Sequence, residues 1–126
     1  MNQFRNLQVW QKAVSLAEMV YQETKDFPAE EKFGLTSQIR RSSVSIPSNI
    51  AEGAGRNTKK EFRNFLGHAN GSAYELETQL IIARNLKYLN EKGFEEMEAR
   101  CKEIQKMLYA LRNKLERDLQ PASQDL

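Results

Sequence analysis

The chain has 126 residues, of which 40% are hydrophobic and 29% charged, with six glycines, three prolines and a single cysteine. This composition favours one soluble domain, and the chain shows neither a secretion signal nor an apolar run long enough to span a membrane. Because Cys101 has no partner for an internal disulfide, we expect a cytoplasmic protein. The net charge of +2 does not by itself indicate binding to nucleic acid.

A first helix is predicted over about residues 4–26, because its apolar side chains recur every three or four positions, the period of one helical face. These side chains are Leu7, Trp10, Val14, Ala17, Val20 and Tyr21. The helix is expected to end at Phe27, because a residue before proline is pushed out of the α region.

A second helix is predicted between Pro28 and the pair Gly53 and Gly55. Its apolar-to-small face consists of Leu35, Ile39, Ser42, Ile46 and Ile50. Pro47 lies inside it and removes one backbone donor, so a kink is expected there. A second set of residues with the same spacing, here called the polar stripe, consists of Gln38, Arg41, Ser45, Asn49 and Glu52.

Two further helices follow. Thr58 and Glu61 have the spacing of a capping box, which predicts the start of a third helix that runs to about residue 89. Gly67 and Gly71 lie inside it at a cost of about 1 kcal/mol each, so we expect a neighbouring helix to approach closely there. Asn90 is the predicted N-cap of a fourth helix, over about residues 91–119.

Four amphipathic helices with short connections predict an antiparallel, up-down-up-down four-helix bundle with a kinked second helix. The bundle is expected to occupy residues 1–119, and residues 120–126 are expected to form a flexible tail. No alternating pattern or hairpin signal predicts a β-strand.

The sequence offers no constellation for catalysis, a metal or a cofactor. A di-iron bundle needs Glu-x-x-His on two helices. His68 is the only histidine, and Phe65 occupies the position three residues before it where this motif needs a glutamate. One histidine and one cysteine cannot build a zinc site. Catalysis by Cys101 with His68 would need an orienting group that nothing in the pattern supplies. We therefore expect no enzymatic activity.

A local excess of positive charge is the first feature with functional content. Residues 40–63 contain six basic and two acidic side chains, a net +4 that leaves −2 for the rest. We call five of the basic residues the basic corner: Arg40, Arg56, Lys59, Lys60 and Arg63. Together with a helix N-terminus, these could bind an anion or the phosphate backbone of RNA or DNA. The alternative is a glycine C-cap followed by a solvated first turn.

The polar stripe is the second feature. Ser45 and Asn49 are poor helix formers, which favours partial burial of the stripe, either against another subunit or in an internal network with Glu75. Simple exposure to solvent is the alternative. Apolar residues left outside the predicted core, which are Tyr74, Ile81, Tyr88 and Phe94, also favour self-association.

These features recur in a known family. The motifs are Leu7-Gln-Val-Trp10-Gln-Lys-Ala13, Phe27-Pro28, Gly34-Leu35, Gln38-Ile-Arg-Arg41-Ser, Ser45-Ile-Pro-Ser-Asn49-Ile-Ala-Glu52-Gly53-Ala-Gly-Arg56, Phe62, Phe65-Leu66, Ala69-Asn-Gly71-Ser72, Glu75 and Glu77-Thr-Gln79-Leu80. Over about residues 4–119 the chain resembles the four-helix-bundle proteins encoded in intervening sequences of bacterial 23S rRNA genes.

The resemblance implies a cytoplasmic bacterial bundle that assembles into a ring-like homopentamer and has no enzymatic activity. A related bundle is the accessory protein of diversity-generating retroelements, which is pentameric and binds nucleic acid and a reverse transcriptase. Two hypotheses remain open. The bundle either self-associates and contacts RNA or DNA through its basic corner, or it is an adaptor that recruits another protein and has no affinity for nucleic acid.

Overall fold

The computed structural model describes residues 3–119, which form four α-helices and contain no strand. The helices are α1 (Gln8–Glu23), α2 (Leu35–Ala54), α3 (Lys59–Asn85) and α4 (Glu91–Asp118). Short 3₁₀ turns precede α1 at Phe4–Asn6 and α2 at Ala29–Glu31. The prediction of an all-α four-helix bundle is confirmed, and the predicted tail at 120–126 lies outside the described residues.

Contacts between the helices show which of their ends lie together. The end of α1 meets the start of α2, the end of α2 meets the start of α3, and the start of α3 meets the end of α4. The corresponding pairs are Thr24 with Arg40, Gly53 with Phe65, and Arg63 with Glu116. The contact between the start of α3 and the end of α4 is the one expected of an antiparallel pair, and the up-down-up-down arrangement of all four helices stays a prediction. The α1–α2 turn and the α3–α4 turn lie at one end of the bundle, where the Tyr88 hydroxyl donates to Glu31.

One face of every helix supplies the core. Its largest fully buried side chains are Leu16, Val20, Ile39, Ile46, Ile50, Leu66, Leu76, Leu80, Phe94, Met97, Ile104 and Leu108. The predicted face of α2 is buried apart from the half-buried Leu35. In α4 the core also takes in Cys101 and Phe94, so the prediction that Phe94 is exposed is wrong.

The buried face of α1 is rotated from the predicted one. Val9, Ala13 and Leu16 are buried with Ala17 and Val20, whereas Tyr21 is 43% exposed. Trp10 and Val14 are half-buried. Both sets have helical spacing, so hydrophobicity alone could not separate them. The small Ala13, fully buried at the centre of the inner face, lets the backbone of α1 approach the core.

Side chains and turns fix the helix ends. Thr58 Oγ1 accepts from the Glu61 N–H at 3.1 Å, and Asn90 Oδ1 accepts from the Gly93 N–H at 2.7 Å, so both predicted N-caps are confirmed. The third helix ends at Asn85, earlier than predicted, because Lys87 adopts a left-handed conformation with φ 64°. The Tyr88 N–H then bonds the Ala83 carbonyl at 2.9 Å, as in a Schellman C-cap.

The second helix begins later than predicted, at Leu35, because residues 29–34 form turns instead. Pro47 lies inside α2 and is buried; the kink expected there stays a prediction.

The close helix approach lies elsewhere than predicted. A Cβ on Gly71 would meet nothing within 4 Å, and a Cβ on Gly67 would meet only the flexible Arg112 side chain at 3.5 Å. A Cβ on Gly53 would come within 2.6 Å of Phe65 Cβ. It is therefore Gly53, at the end of α2, that allows α2 and α3 to pack together, and the expectation for Gly71 is wrong within this chain.

Candidate functional site

The structure divides the basic corner between the two ends of the bundle. Arg56, Lys59, Lys60 and Arg63 surround the α2–α3 connection, whereas Arg40 lies in the second turn of α2. Fourteen residues separate Arg40 from the end of α2 at Ala54, which corresponds to about 21 Å along the helix. Arg40 therefore cannot act with the other four on one phosphate group.

Three of the remaining four cations already have carboxylate partners. Arg56 Nη2 lies 2.8 Å from Glu52 Oε2, and its guanidinium lies 4.7 Å from the centre of the Phe65 ring. The other two partners come from α4. Lys59 Nζ lies 3.4 Å from Asp118 Oδ2, and Arg63 Nε lies 2.8 Å from Glu116 Oε2, as an ion pair without hydrogen-bond geometry.

The N-terminus of α3 is also occupied from within the chain. Thr58 caps it, and the Thr58 hydroxyl donates to the Glu61 carboxylate at 3.1 Å. Glu61 thus places its negative charge where an anion would bind. With Glu61 and the three partner carboxylates counted, four negative charges offset the four cations around this connection. Of these cations only Lys60 has no carboxylate partner among the described residues.

The polar stripe is half-buried at its centre and exposed at its ends. The Asn49 amide donates to the Ser45 carbonyl at 2.9 Å and to Ser45 Oγ at 3.0 Å, and the Ser72 hydroxyl of α3 donates to Ser45 Oγ at 2.9 Å. Gln38, Arg41 and Glu52 are exposed. The centre of the stripe therefore forms a hydrogen-bonded seam between α2 and α3.

Glu75 joins this seam through a neighbour of the stripe, because its carboxylate accepts from the Ser42 hydroxyl at 3.2 Å. Arg41, Glu52 and Glu75 do not converge. Glu52 pairs with Arg56, Glu75 with Ser42, and Arg41 lies in a groove near the start of α2.

The thiol of Cys101 is held as a packing group. It is fully buried, and Sγ donates to the Ala73 carbonyl at 3.1 Å. Burial, with a smaller contribution from the nearby Glu77 carboxylate, raises the pKa of the Cys101 thiol to about 12. A thiol that stays protonated at neutral pH is a poor nucleophile. His68 is exposed and stacks edge-on against Phe65 at 5.9 Å.

Within residues 3–119 the structure brings together no cluster of three or more side chains of the types that ligate metals. In the same range, none of the four helices is apolar enough over a sufficient length to cross a bilayer.

The apolar surface differs from the predicted one. Tyr74 is 55% exposed, as expected, but Ile81 and Tyr88 are half-buried. The Tyr88 hydroxyl donates to Glu31 at 3.0 Å, which raises the pKa of Tyr88. The exposed large side chains instead include Phe33, Val44, Ile82 and Tyr109. Sequence reasoning missed Phe33 and Tyr21 beside Arg40 and Arg41, because the four belong to three different segments that only the fold brings together.

Comparisons with known proteins agree with this fold. The sequence model described as 23S rRNA-intervening sequence protein matches residues 5–110. The solved structures similar to this chain include a protein of unknown function from the S23 ribosomal protein family of Bacteroides thetaiotaomicron. That structure has a TM-score of 0.75 and 26% identity, over 82% of this chain and 97% of the other. Comparison with curated proteins gives no significant match.

Proposed function

Because the chain belongs to the family of 23S rRNA-intervening sequence proteins, we propose that it is a cytoplasmic, non-enzymatic bundle that acts by self-association. The family resemblance makes a homopentamer the expected assembly. The burial and raised pKa of Cys101 support a role without covalent catalysis, since the chain's one thiol serves the core.

An apolar groove between the outer faces of α1 and α2 carries the proposal of self-association. It encloses about 380 Å³, and its apolar lining consists of Val14, Ala17, Tyr21, Val44 and Pro47. Val44 is 42% exposed. Contiguous apolar surface of this kind, bordered here by Glu18 and Gln22, is typical of an interface. We propose a second copy of the chain as its occupant.

Sedimentation velocity or light scattering tests the assembly directly. A pentamer of the 14.6 kDa chain has a mass of 5 × 14.6, or about 73 kDa. Val44→Glu places a charge in the apolar groove and should shift the protein towards monomer. Ile82→Glu is the matched control, because Ile82 is 44% exposed and lies on α3, outside the groove. A parent protein that is monomeric at micromolar concentration refutes self-association. If both variants have the same assembly mass, the apolar groove is not the interface.

Binding of RNA or DNA through the basic corner is a more specific proposal, and fewer observations support it. Lys60 has no carboxylate partner among residues 3–119 and could contact a phosphate, but Arg56, Lys59 and Arg63 would have to leave their carboxylates first. We therefore expect weak binding that falls steeply with salt. The triple variant Arg56→Ala, Lys59→Ala, Lys60→Ala should weaken it, and unchanged binding would show that the corner is only a solvated turn.

An adaptor that recruits another protein is the second candidate, favoured by a groove between α3 and α4. Tyr74 and Tyr109 line it and are 55% and 63% exposed, and exposed tyrosines are common anchors at protein interfaces. A pull-down with and without nuclease separates the two candidates. An adaptor retains its partner after nuclease treatment, whereas a nucleic-acid-bridged complex loses it.

A further inference from the structure

A groove that combines cations with exposed aromatic rings lies beside the first turns of α2, at the end opposite the α2–α3 connection. Its side chains come from α1, from the turn before α2 and from α2 itself. We call it the aromatic–basic groove, and the lining residues used here are Tyr21, Lys32, Phe33, Thr36, Arg40 and Arg41.

The three cations of this groove carry no ion pair within the part of the chain that the structure describes. Arg40 Nε donates to Thr24 Oγ1 at 2.9 Å, and its guanidinium lies 4.7 Å from the Tyr21 ring centre. These contacts orient Arg40 without neutralising it. Arg41 is exposed. The groove thus keeps the positive charge that the basic corner loses to its carboxylate partners.

Acidic groups nearby are either engaged or outside the groove lining. The Glu31 carboxylate accepts from the Leu35 N–H at 3.1 Å and from the Tyr88 hydroxyl at 3.0 Å, so it is held towards Tyr88. Glu30 is exposed on the preceding 3₁₀ turn and does not line the groove. A phosphate at the groove would therefore meet three cations without displacing a carboxylate from them.

The backbone and one buried hydroxyl also favour an anion at this position. Gly34, at the N-cap of α2, offers no side-chain cap, and the Glu31 carboxylate accepts only from the Leu35 N–H of the first turn. Thr36 lines the groove and is only 8% exposed, yet its hydroxyl has no hydrogen-bond partner among the described residues. A buried donor without a partner is rare; because the oxygen itself is buried, a rotation of the Thr36 side chain would bring it to a phosphate oxygen in the groove.

The aromatic rings restrict the class of anion. Phe33 is 90% exposed, with Lys32 Nζ 5.4 Å from its ring centre. Exposed rings beside cations form a platform on which unpaired bases stack while the cations hold phosphates. Duplex DNA keeps its bases stacked, and an acidic peptide has no base to place on Phe33. We infer that the aromatic–basic groove binds single-stranded nucleic acid, with phosphates on Lys32, Arg40 and Arg41 and a base on Phe33.

Fluorescence anisotropy with labelled oligo(dT) and oligo(U) of about 12 nucleotides tests this inference on the full chain across a salt series. Phe33→Ala should weaken binding at least about fivefold with an unchanged salt slope, because it removes stacking and no charge. Lys32→Ala with Arg41→Ala should weaken binding and lower the slope by roughly 1.4, since each phosphate contact contributes about 0.7 for single strands. Phe33 and Arg41 are exposed, so these variants should fold as the parent does, which circular dichroism verifies.

The matched control is Lys106→Ala with Lys114→Ala, which removes the same charge from exposed positions on α4, outside both the aromatic–basic groove and the basic corner. It should change the affinity less than about twofold. A preference for oligo(U) or oligo(dT) shows which of these two single strands the groove binds better, and either preference supports the groove. The inference would be overturned by no binding at about 50 mM salt, parental affinity of Phe33→Ala, an equal loss in the control, or equal binding of a duplex of the same length. Equal displacement of the oligonucleotide by polyglutamate would also overturn it.

Discussion

Replacing Gly53 by alanine tests the close packing of α2 against α3. The new Cβ would lie 2.6 Å from Phe65 Cβ, 3.1 Å from Phe62 Cδ1 and 3.3 Å from the Phe62 carbonyl oxygen. Carbon atoms pack at about 3.5–4.0 Å, so α2 and α3 would have to separate by about 1 Å. No rotamer change can relieve this contact, because a Cβ position is fixed by its backbone.

Two opposing effects set the change that Gly53→Ala causes in the free energy of unfolding. Overpacking of this kind costs about 1–3 kcal/mol, while alanine in place of a helical glycine gains up to about 1 kcal/mol. We expect the free energy of unfolding to fall by about 1–2 kcal/mol. For a chain of 126 residues, 1 kcal/mol corresponds to about 4 °C in Tm, so Tm should fall by about 4–8 °C.

Urea unfolding followed by circular dichroism, at one fixed protein concentration, measures this change. Gly71→Ala is the matched control, because its Cβ meets nothing within 4 Å and should stabilise the helix by about 0.5–1 kcal/mol. If Gly53→Ala stabilised the protein as much as Gly71→Ala does, the contact between α2 and α3 would not be as close as described.

Three further predictions concern other parts of the bundle. Lys87→Gly should raise the free energy of unfolding by about 0.5–1 kcal/mol, because φ 64° costs glycine nothing; an unchanged urea midpoint would contradict this. Cys101 should react with a thiol reagent at pH 8 about a thousandfold more slowly in the folded chain than in urea, since its pKa rises from 9.0 to about 12. The raised pKa stabilises the fold below pH 9, and up to about 4 kcal/mol of that stability is lost as the pH rises towards 12, so Cys101→Ala should flatten the alkaline stability profile. Glu116→Gln with Asp118→Asn frees Arg63 and Lys59 and should strengthen binding of duplex DNA at low salt; unchanged binding would show that these pairs do not mask the basic corner.

The number, order and type of helices could be predicted because each prediction rested on local physics. The Thr58 and Asn90 caps are short-range hydrogen bonds between residues three apart, so the sequence reveals them directly. The end of α3 could not be placed, because it depends on the left-handed conformation of Lys87, a residue type that rarely adopts it.

Packing details were beyond sequence reasoning for a different reason. Helical spacing identifies an amphipathic helix, but on α1 the residues Trp10 and Tyr21 compete with Val9 and Leu16 for the inner face. A large aromatic side chain with a polar tip can remain half-exposed, so the outcome depends on the neighbouring helices. The sequence marks Gly53 as a helix end and places Gly67 and Gly71 inside a helix, and only the contacts with α3 and α4 show which of the three lies at a close helix approach.

The functional surfaces show why a run of charge along the chain is an incomplete guide to binding. The basic corner is dense in sequence, yet Glu116 and Asp118 reach it from α4, more than fifty residues away, and compensate Arg63 and Lys59. Lys32, Arg40 and Arg41 are more dispersed, but no helix brings a carboxylate to them in the described chain. Affinity for an anion depends on the charge that remains after folding, because a paired cation must first lose its partner. The structure therefore moves the stronger candidate for nucleic-acid binding from the α2–α3 connection to the opposite end of the bundle.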